Sequence, residues 1–262
     1  MNNTIDLKNK RILITGGGKG IGAGIVEAMA ACGGDICINV PEIDPEAVAF
    51  QTYISRQYLV KVLLLQADIS KQEEVKAMFD SLEKNWSGLD VLVNNAGVES
   101  VADCLELSLE EWDRIFSVNL RGAFMVAQYA GRLMKKQQQG CIINISSIHD
   151  KVARKGLVHY CASKAGLNML SKCMALELAE FGVRVMTISP GAIETAMNRE
   201  EIKKIGEALF QKWIPLGRLG NVVDVARCCA FVASDAASYL TGTEIYLDGG
   251  YKENTIQYDP RN

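Results

Sequence analysis

The chain has 262 residues, of which 48% are hydrophobic and 23% are charged, and its formal net charge is −3. This composition is ordinary for a soluble globular protein and gives no electrostatic reason to expect nucleic acid or an anionic membrane as a partner. Residues 1–10 lack the apolar core of a signal peptide, and no apolar run approaches the roughly eighteen residues of a membrane span. We therefore expect a cytoplasmic protein that binds neither nucleic acid nor a membrane.

Eight cysteines are present, and no two of them have CxxC spacing. Most lie inside predicted strands or helices, where a free thiol behaves as a small apolar residue. Free thiols also suit a reducing cytoplasm. We expect no metal site, and we assign to the core Cys32, Cys37, Cys173, Cys228 and Cys229.

Short β-rich runs alternate with longer helical patterns along the whole chain. The predicted strands are 11–15, 36–40, 60–65, 89–93, 141–145, 183–188 and 244–247. The first predicted helix comes after the first strand and ends at Gly33. The other predicted helices are 45–57, a helix that begins after Ser70, 108–136, a helix that carries Tyr160 and ends at about 181, 198–213 and 222–233. Ser70 with Glu73, and Ser108 with Glu111, are spaced as capping boxes.

This alternation predicts right-handed βαβ units and a parallel sheet. The first, third and fifth strands are continuously apolar, which indicates that both faces of the sheet are covered by helices. There is no internal repeat and no linker-like tract. We predict a single doubly wound α/β domain of the Rossmann type, spanning 1–262, with about seven strands.

A glycine-rich turn, Gly16-x3-Gly20-x-Gly22, joins the first strand to the first helix. Such a turn lets the backbone approach a pyrophosphate at the positive end of the helix. Its spacing is neither GxGxxG nor a Walker motif, and a purely structural tight turn is the alternative. Its place after the first strand favours a dinucleotide site.

The end of the second strand should reveal the choice of cofactor. Glu42 stands where an acidic residue would hold the adenosine ribose of NAD and repel a 2′-phosphate. Lys19, in the glycine turn, could instead attract that phosphate. The pattern favours NAD and leaves NADP open.

A possible acid/base pair lies further along the chain. Tyr160 and Lys164 are four residues apart on a predicted helix and therefore share one of its faces. Ser147 follows the end of the fifth strand. A phenol beside an ammonium, with a hydroxyl delivered nearby, could catalyse proton transfer.

Four stretches together resemble the short-chain dehydrogenases/reductases, and the resemblance extends over essentially the whole chain. They are Thr15-Gly16-x3-Gly20-x-Gly22, Asn94-Asn95-Ala96-Gly97, the set Asn119, Ser147, Tyr160 and Lys164, and Pro190-Gly191 followed by Thr195. The family uses NAD or NADP to interconvert alcohols and ketones, and the resemblance implies the same here.

The resemblance implies a role for each member of the catalytic set. Tyr160 would exchange a proton with the substrate oxygen while a hydride moves to or from the nicotinamide. Lys164 and the cationic oxidised nicotinamide would lower the pKa of the phenol, which is ordinarily near 10. Lys164 would also hold the nicotinamide ribose, Ser147 would bind the substrate oxygen, and Asn119 would anchor a water that relays protons.

The resemblance also implies a set of cofactor-binding residues. Asp68 with Ile69 would contact the adenine, although a helix-capping role explains Asp68 nearly as well, and Asn95 would mainly stabilise the central strands. The full set is Gly16, Gly18, Lys19, Gly20, Ile21, Gly22, Glu42, Asp68, Ile69, Asn95, Ala96, Gly97, Tyr160, Lys164, Pro190, Gly191, Ile193 and Thr195.

The substrate is less clearly indicated. The runs around Ser147, Tyr160 and Gly97 are similar to bacterial glucose 1-dehydrogenases, whereas residues 192–213 could form a lid with an apolar side that suits a steroid or bile acid. A helix that buries this stripe in the core predicts the same pattern. The expected substrate residues are Glu99, His149, His159 and Met197.

Three further expectations follow. Reduction of a 3-oxoacyl thioester is an alternative to oxidation of a sugar, polyol or hydroxysteroid. A non-catalytic NAD(P)-binding redox sensor is the alternative from another class, because fold alone does not establish catalysis. The resemblance implies a homotetramer assembled through two long helices and the region of the last strand.

Overall fold

The computed structural model describes residues 5–195 and 199–254, and within them it has the predicted α/β architecture. The strands are β1 (Arg11–Thr15), β2 (Asp35–Val40), β3 (Val62–Gln66), β4 (Val91–Asn94), β5 (Gly140–Ile145), β6 (Val183–Pro190), β7 (Ile193–Glu194), β8 (Gly220–Asn221) and β9 (Glu244–Leu247). The α-helices are α1 (Gly20–Ala31), α2 (Pro45–Tyr58), α3 (Gln72–Asn85), α4 (Leu109–Phe116), α5 (Ala123–Gln137), α6 (Val158–Leu178), α7 (Arg199–Ile205), α8 (Glu207–Trp213) and α9 (Val222–Ala233).

Seven of these strands form one parallel sheet in the order β3-β2-β1-β4-β5-β6-β9, while β7 and β8 pair separately. The prediction of a doubly wound sheet of about seven strands is confirmed. The strand order reverses between β1 and β4, and the crevice at the carboxyl ends of such strands is where open α/β sheets bind ligands. The glycine turn after β1 and the Asn94 end of β4 both lie at this edge.

Helices cover both faces of the sheet, and each face has its own apolar core. Ile14, Ile38 and Ile143 face the core that α1 and α9 close. Leu13 and Leu92, from alternate positions, face the core that α3 and α5 close. Strands buried on both sides explain why their sequences are apolar without alternation.

Neither predicted capping box forms completely. Helix α3 begins after Lys71, which has no side-chain cap, because Asp68 accepts hydrogen bonds from the backbone and hydroxyl of Ser70 at 2.9 and 2.7 Å. At α4 the Ser108 hydroxyl accepts from the Glu111 amide at 3.2 Å, as predicted. The Glu111 carboxylate, however, is bound by Arg114.

The long helix predicted over 108–136 is interrupted by a π-helical segment, Ser117–Gly122. At Gly122 a Cβ would lie 2.8 Å from the Ile69 carbonyl oxygen, so the helix packs closely against the segment after β3. Such π-helical insertions are frequent at functional sites. Asn119 lies inside this one.

The single helix predicted over 198–213 is two short helices. Gly206 separates α7 from α8 with a φ of +96°, a conformation that glycine adopts readily and that breaks the helical path. Ile202 in α7 is buried. Met197 lies outside the described residues.

Most of the cysteine assignments fit the structure. Cys37 and Cys229 are buried and Cys32 and Cys228 are half-buried, but Cys173 is exposed on the outer face of α6, so its assignment to the core is wrong. Among the residues that the structure describes, no helix is both long and apolar enough to cross a bilayer.

Candidate active site

The loop after β4 holds the glycine turn in place. The Thr15 hydroxyl accepts hydrogen bonds from the amides of Asn95 and Ala96 at 3.0 and 3.1 Å. The Asn95 carboxamide donates in return to the carbonyl oxygens of Thr15 and Gly16, at 3.0 and 3.1 Å. Asn95 therefore has the strand-stabilising role expected of it, and it fixes the turn from below.

The glycines of the turn serve two different purposes. At Gly22 a Cβ would overlap the Gly16 carbonyl oxygen, and at Gly16 it would lie 3.0 Å from Cα of Ala96, so both positions are packed against backbone. Gly20, with a φ of +53°, is open: the nearest atom to its Cβ position is Cγ2 of Thr195 at 4.0 Å. The turn is thus packed against backbone at Gly16 and Gly22 and leaves open space at Gly20.

This arrangement fits the pyrophosphate of a dinucleotide. Helix α1 begins after Lys19, whose side chain does not cap the amides of the first turn. Amides at a helix N-terminus bind phosphate oxygens. Thr195 follows β7, and its methyl group lies over Gly20, while its contact with a nicotinamide stays a prediction.

The remaining candidate cofactor residues surround the turn. Glu42 is exposed, two residues beyond the end of β2, and Lys19 is exposed at the start of α1. Ile69 is buried and Asp68 is bonded to Ser70, so both have structural roles, and their contact with adenine stays a prediction. Gly191 donates to the Leu247 carbonyl at 3.0 Å, which joins the end of β6 to the end of β9.

The strand β5 and the helix α6 bring Ser147, Tyr160 and Lys164 together. The Ser147 hydroxyl lies close enough to the Tyr160 phenol to lower its pKa. The Lys164 ammonium donates to the Ile145 carbonyl at 2.9 Å, and its Nζ lies 5.7 Å from the centre of the Tyr160 ring. The three side chains that the sequence predicts to act together therefore occupy one site at the carboxyl edge of the sheet.

Asn119 lies beside this group, but its carboxamide has other partners. Its Oδ1 accepts from the Val98 amide at 2.8 Å, and its Nδ2 donates to the Val98 carbonyl at 2.9 Å and to the Ser163 hydroxyl at 3.2 Å. Asn119 thus fixes the segment after Gly97. A water anchored by its side chain would compete with these bonds, so the proposed relay stays a prediction.

Burial shifts the pKa values of the acid/base pair in opposite directions. Lys164 is only 4% exposed, and burial lowers the pKa of its ammonium to about 8. Burial raises the pKa of the Tyr160 phenol, and the negative charge of Glu99 raises it further, while the Ser147 hydroxyl lowers it. The net direction in the protein alone is therefore opposite to the lowering that was predicted from Lys164, because desolvation penalises the phenolate.

The candidate substrate residues differ in their access to this site. Glu99 is exposed, and its charge acts on both Tyr160 and Lys164. His149 bonds the Val152 carbonyl through Nδ1 at 2.8 Å, and its ring lies 6.5 Å from that of Tyr160 at 72°. Both residues stand at the mouth of the site.

His159 has a different environment. It is fully buried, and its Nε2 lies 2.8 Å from the Ser100 hydroxyl. Its placement on the substrate cleft therefore does not fit the structure, because α6 turns this side chain towards the segment after Gly97. It supports that segment from behind.

Several polar residues next to the site were not predicted from the sequence. Ser163 bonds Asn119, and a buried group behind Ser147 contains Asp150, Asn168 and Glu244. The available signal was an acidic residue three positions after Ser147. In the described part of the chain, no three His, Cys, Asp or Glu residues are grouped as a metal site would require.

Comparisons with known proteins agree with this geometry. A family model described as enoyl-(acyl carrier protein) reductase matches residues 16–252. The 3beta-hydroxysteroid dehydrogenase 1 of Eggerthella lenta is 38% identical over 247 residues, which cover 94% of each chain. The glucose 1-dehydrogenase 2 of Bacillus subtilis is 36% identical over 247 residues, covering 94% of this chain and 95% of that protein.

A solved structure is similar over nearly the whole chain. The crystal structure of a gluconate 5-dehydrogenase from Burkholderia cenocepacia, in complex with NADP and tartrate, superimposes with a TM-score of 0.90 at 31% identity. The match covers 95% of this chain and 97% of that one.

Proposed function

The chain belongs to the short-chain dehydrogenase/reductase family of oxidoreductases, and from this premise we propose that it interconverts a cyclic secondary alcohol and the corresponding ketone with NAD or NADP. The observation that carries the proposal is the meeting of Ser147, Tyr160 and Lys164 at the sheet edge that also bears the glycine turn. A proton donor and a dinucleotide site at one edge are what coupled proton and hydride transfer requires.

In the proposed reaction Tyr160 exchanges a proton with the substrate oxygen, and Ser147 holds that oxygen by a hydrogen bond. When bound, NAD or NADP would accept or supply the hydride. Lys164 provides positive charge beside the phenol, and its bond to the Ile145 carbonyl keeps the ammonium in position. Since burial raises the pKa of Tyr160, this positive charge is needed to make the phenolate accessible.

The residues at the mouth of the site favour a neutral, hydroxyl-rich substrate such as a sugar or polyol. Glu99 is exposed there and its charge reaches Tyr160, so an anionic group on the substrate near the reacting carbon would be repelled. The carboxylate of Glu99 and the ring of His149 can each bond a hydroxyl group. These two polar side chains support a sugar or polyol as the substrate.

A hydroxysteroid is the second candidate, and the similarity to the Eggerthella lenta hydroxysteroid dehydrogenase favours it. Leu209 on α8 is 40% exposed and offers an apolar surface, whereas Ile202 on α7 is buried in the protein. A 3-oxoacyl thioester and a non-catalytic sensor role rank behind both, because neither accounts for the polar mouth together with the assembled acid/base group.

NAD is the favoured cofactor. Glu42 is the first charged residue after β2, and the chain offers no Lys or Arg between it and Arg56 to bind a 2′-phosphate there. Lys19 is the residue that would favour NADP. Both cofactors therefore belong in the test.

The decisive experiment measures formation and loss of reduced nicotinamide absorbance. Purified protein is combined with NAD, NADP or their reduced forms and with sugars and polyols, 3-hydroxysteroids with their ketones, and 3-oxoacyl thioesters. Turnover of a neutral sugar or polyol, with NAD preferred, is the expected result. Turnover of steroids alone would select the second candidate, and no turnover of any class, with retained cofactor binding, would favour the sensor.

A further inference from the structure

A second group of ionisable side chains lies behind Ser147, towards the β9 edge of the sheet. It consists of Asp150, which is only 8% exposed, and Glu244, which is half-buried at the start of β9. The Nδ2 amide of Asn168 donates to both carboxyl groups, so the two groups lie side by side. Two adjacent buried carboxylates repel each other, and a proton on one of the two groups removes that repulsion.

The hydrogen-bond donors that reach these carboxyl groups within the described part of the chain are neutral. Asn168 donates from Nδ2 to Oδ2 of Asp150 at 3.0 Å and also to Glu244. The Ser189 hydroxyl donates to Glu244 at 2.5 Å, and the Tyr246 hydroxyl to Oδ1 of Asp150 at 3.3 Å. Neutral donors stabilise one negative charge, but two adjacent buried charges would repel each other.

Charged groups on the surrounding elements act on the pair only through space. Lys151, next to Asp150, favours its ionised form. Lys252, in the segment after β9, lies over the Tyr246 ring at 4.4 Å. Burial is the larger cause and the neighbouring Glu244 the smaller one, and together they raise the pKa of Asp150 well above that of an ordinary carboxyl group. The pair therefore loses its second proton at a higher pH than an isolated carboxyl group would.

The pair is joined to the catalytic group by both backbone and charge. The Asp150 amide donates to the Ser147 carbonyl at 3.0 Å and closes the turn Ile148–Asp150, which begins directly after Ser147. The charge of Asp150 also reaches the phenol of Tyr160 and the ammonium of Lys164. A change of protonation in the pair is therefore felt at the proposed site.

We propose that Asp150 and Glu244 share a single proton and act as a positioning pair, which holds the Ser147 turn and sets the charge that Tyr160 experiences. The proposal rests on the proposed role of Tyr160 as acid/base. With the proton shared, the pair carries one negative charge and the turn is clamped to β9. Loss of that proton adds a second charge, which opposes formation of the Tyr160 phenolate and weakens the clamp.

The test uses Asp150→Asn and Glu244→Gln, each of which replaces one of the two carboxyl groups by an amide of the same shape, with the exposed Glu83→Gln as matched control. Infrared difference spectra at neutral pH should show a protonated carboxyl group in the wild type and in E83Q that is missing from D150N and E244Q. The ultraviolet difference between each protein and its Tyr160→Phe derivative, followed against pH, reports ionisation of Tyr160.

At the alkaline pH where Tyr160 ionises, the wild-type pair has lost its shared proton and carries two negative charges, whereas D150N and E244Q carry one. The Tyr160 phenol of these variants should therefore ionise about one pH unit lower than that of the wild type. E83Q should leave the ionisation unchanged. Absence of a protonated carboxyl group from the wild type at neutral pH, or an unshifted Tyr160 in a folded D150N or E244Q, overturns the proposal. These readouts need no substrate, so they are independent of whether Tyr160→Phe abolishes turnover, which tests the proposed function.

Discussion

The Nζ of Lys164 lies 5.7 Å from the centre of the Tyr160 ring, one turn further along α6. It is held there by the Ile145 carbonyl at the end of β5, so the strand and the helix fix the pair jointly. The ammonium is almost fully buried, and burial lowers its pKa to about 8.

Replacing Tyr160 by Phe should reduce turnover by about 10²- to 10⁴-fold, because the proton donor is lost. Binding of NAD or NADP, measured by fluorescence titration, should change little. Tyr239→Phe, at a fully exposed position, is the control and should keep wild-type rates. Rates near wild type in Tyr160→Phe would sink the acid/base assignment.

Replacing Lys164 by Met should abolish activity and yet stabilise the fold at neutral pH. The drop of the Lys164 pKa from 10.5 to about 8 corresponds to at most about 3 kcal/mol of unfavourable charge burial. Below pH 8 the lysine is charged in both the folded and the unfolded state, so the folded state is destabilised by the full amount. Between pH 8 and 10.5 the lysine is neutral in the folded state and still charged in the unfolded state, so the destabilisation decreases as the pH rises.

The measurement for this variant is urea unfolding at pH 7 and again near pH 10. The Met variant should exceed the wild type in free energy of unfolding at pH 7, and the difference should be much smaller near pH 10. A variant less stable than the wild type at pH 7 would mean that the buried ammonium stabilises the fold.

Replacing Gly22 by Ala should prevent the glycine turn from forming, because the new Cβ would overlap the Gly16 carbonyl oxygen and press on Asn95. We expect cofactor binding to fall by at least about tenfold, with a loss of 1–3 kcal/mol in stability. Gly131→Ala in α5 is the matched control. Its Cβ meets only Leu178 at 3.5 Å, so that variant should bind cofactor normally.

Replacing Glu42 by Gln should narrow the preference for NAD over NADP, since a carboxylate near the adenosine ribose repels a 2′-phosphate. We expect a change of roughly tenfold in the ratio of the two kcat/KM values. Glu46→Gln, in the first turn of α2, should leave the ratio unchanged. An unaltered ratio in Glu42→Gln would remove Glu42 from the cofactor site.

The exposed apolar surface of α5 and α6 should form a subunit interface in the expected homotetramer. Phe124 on α5 and Met169 and Leu176 on α6 are 39%, 60% and 84% exposed, and exposed apolar surface of this kind marks interaction sites. Light scattering should give four times the chain mass for the wild type and for Val48→Glu on α2, and a smaller mass for Leu176→Glu. A wild-type mass near one chain would overturn the assembly prediction.

Much of the fold was predictable because its signals are local. The alternation of apolar strands with helices predicted the parallel sheet, and the observed β1, β9 and α9 have the predicted bounds. Other predicted helix and strand boundaries were wrong where contacts with distant residues change the local backbone. The π-helical segment of 117–122 reflects close packing of Gly122 on Ile69, and no periodicity in the sequence reports such a contact.

For the candidate site, the spacing of residues along the chain was enough to predict which catalytic side chains come together. Tyr160 and Lys164 share a helix face by spacing, and Ser147 follows a strand whose neighbours are fixed by the sheet. How each group is used depends on the packing of the folded chain. That packing turns His159 inwards to Ser100 and bonds the Asn119 carboxamide to Val98. It also brings Asp150 and Glu244 to one shared donor, Asn168. Side-chain direction, burial and charge depend on packing between distant elements, and spacing along the chain does not contain them.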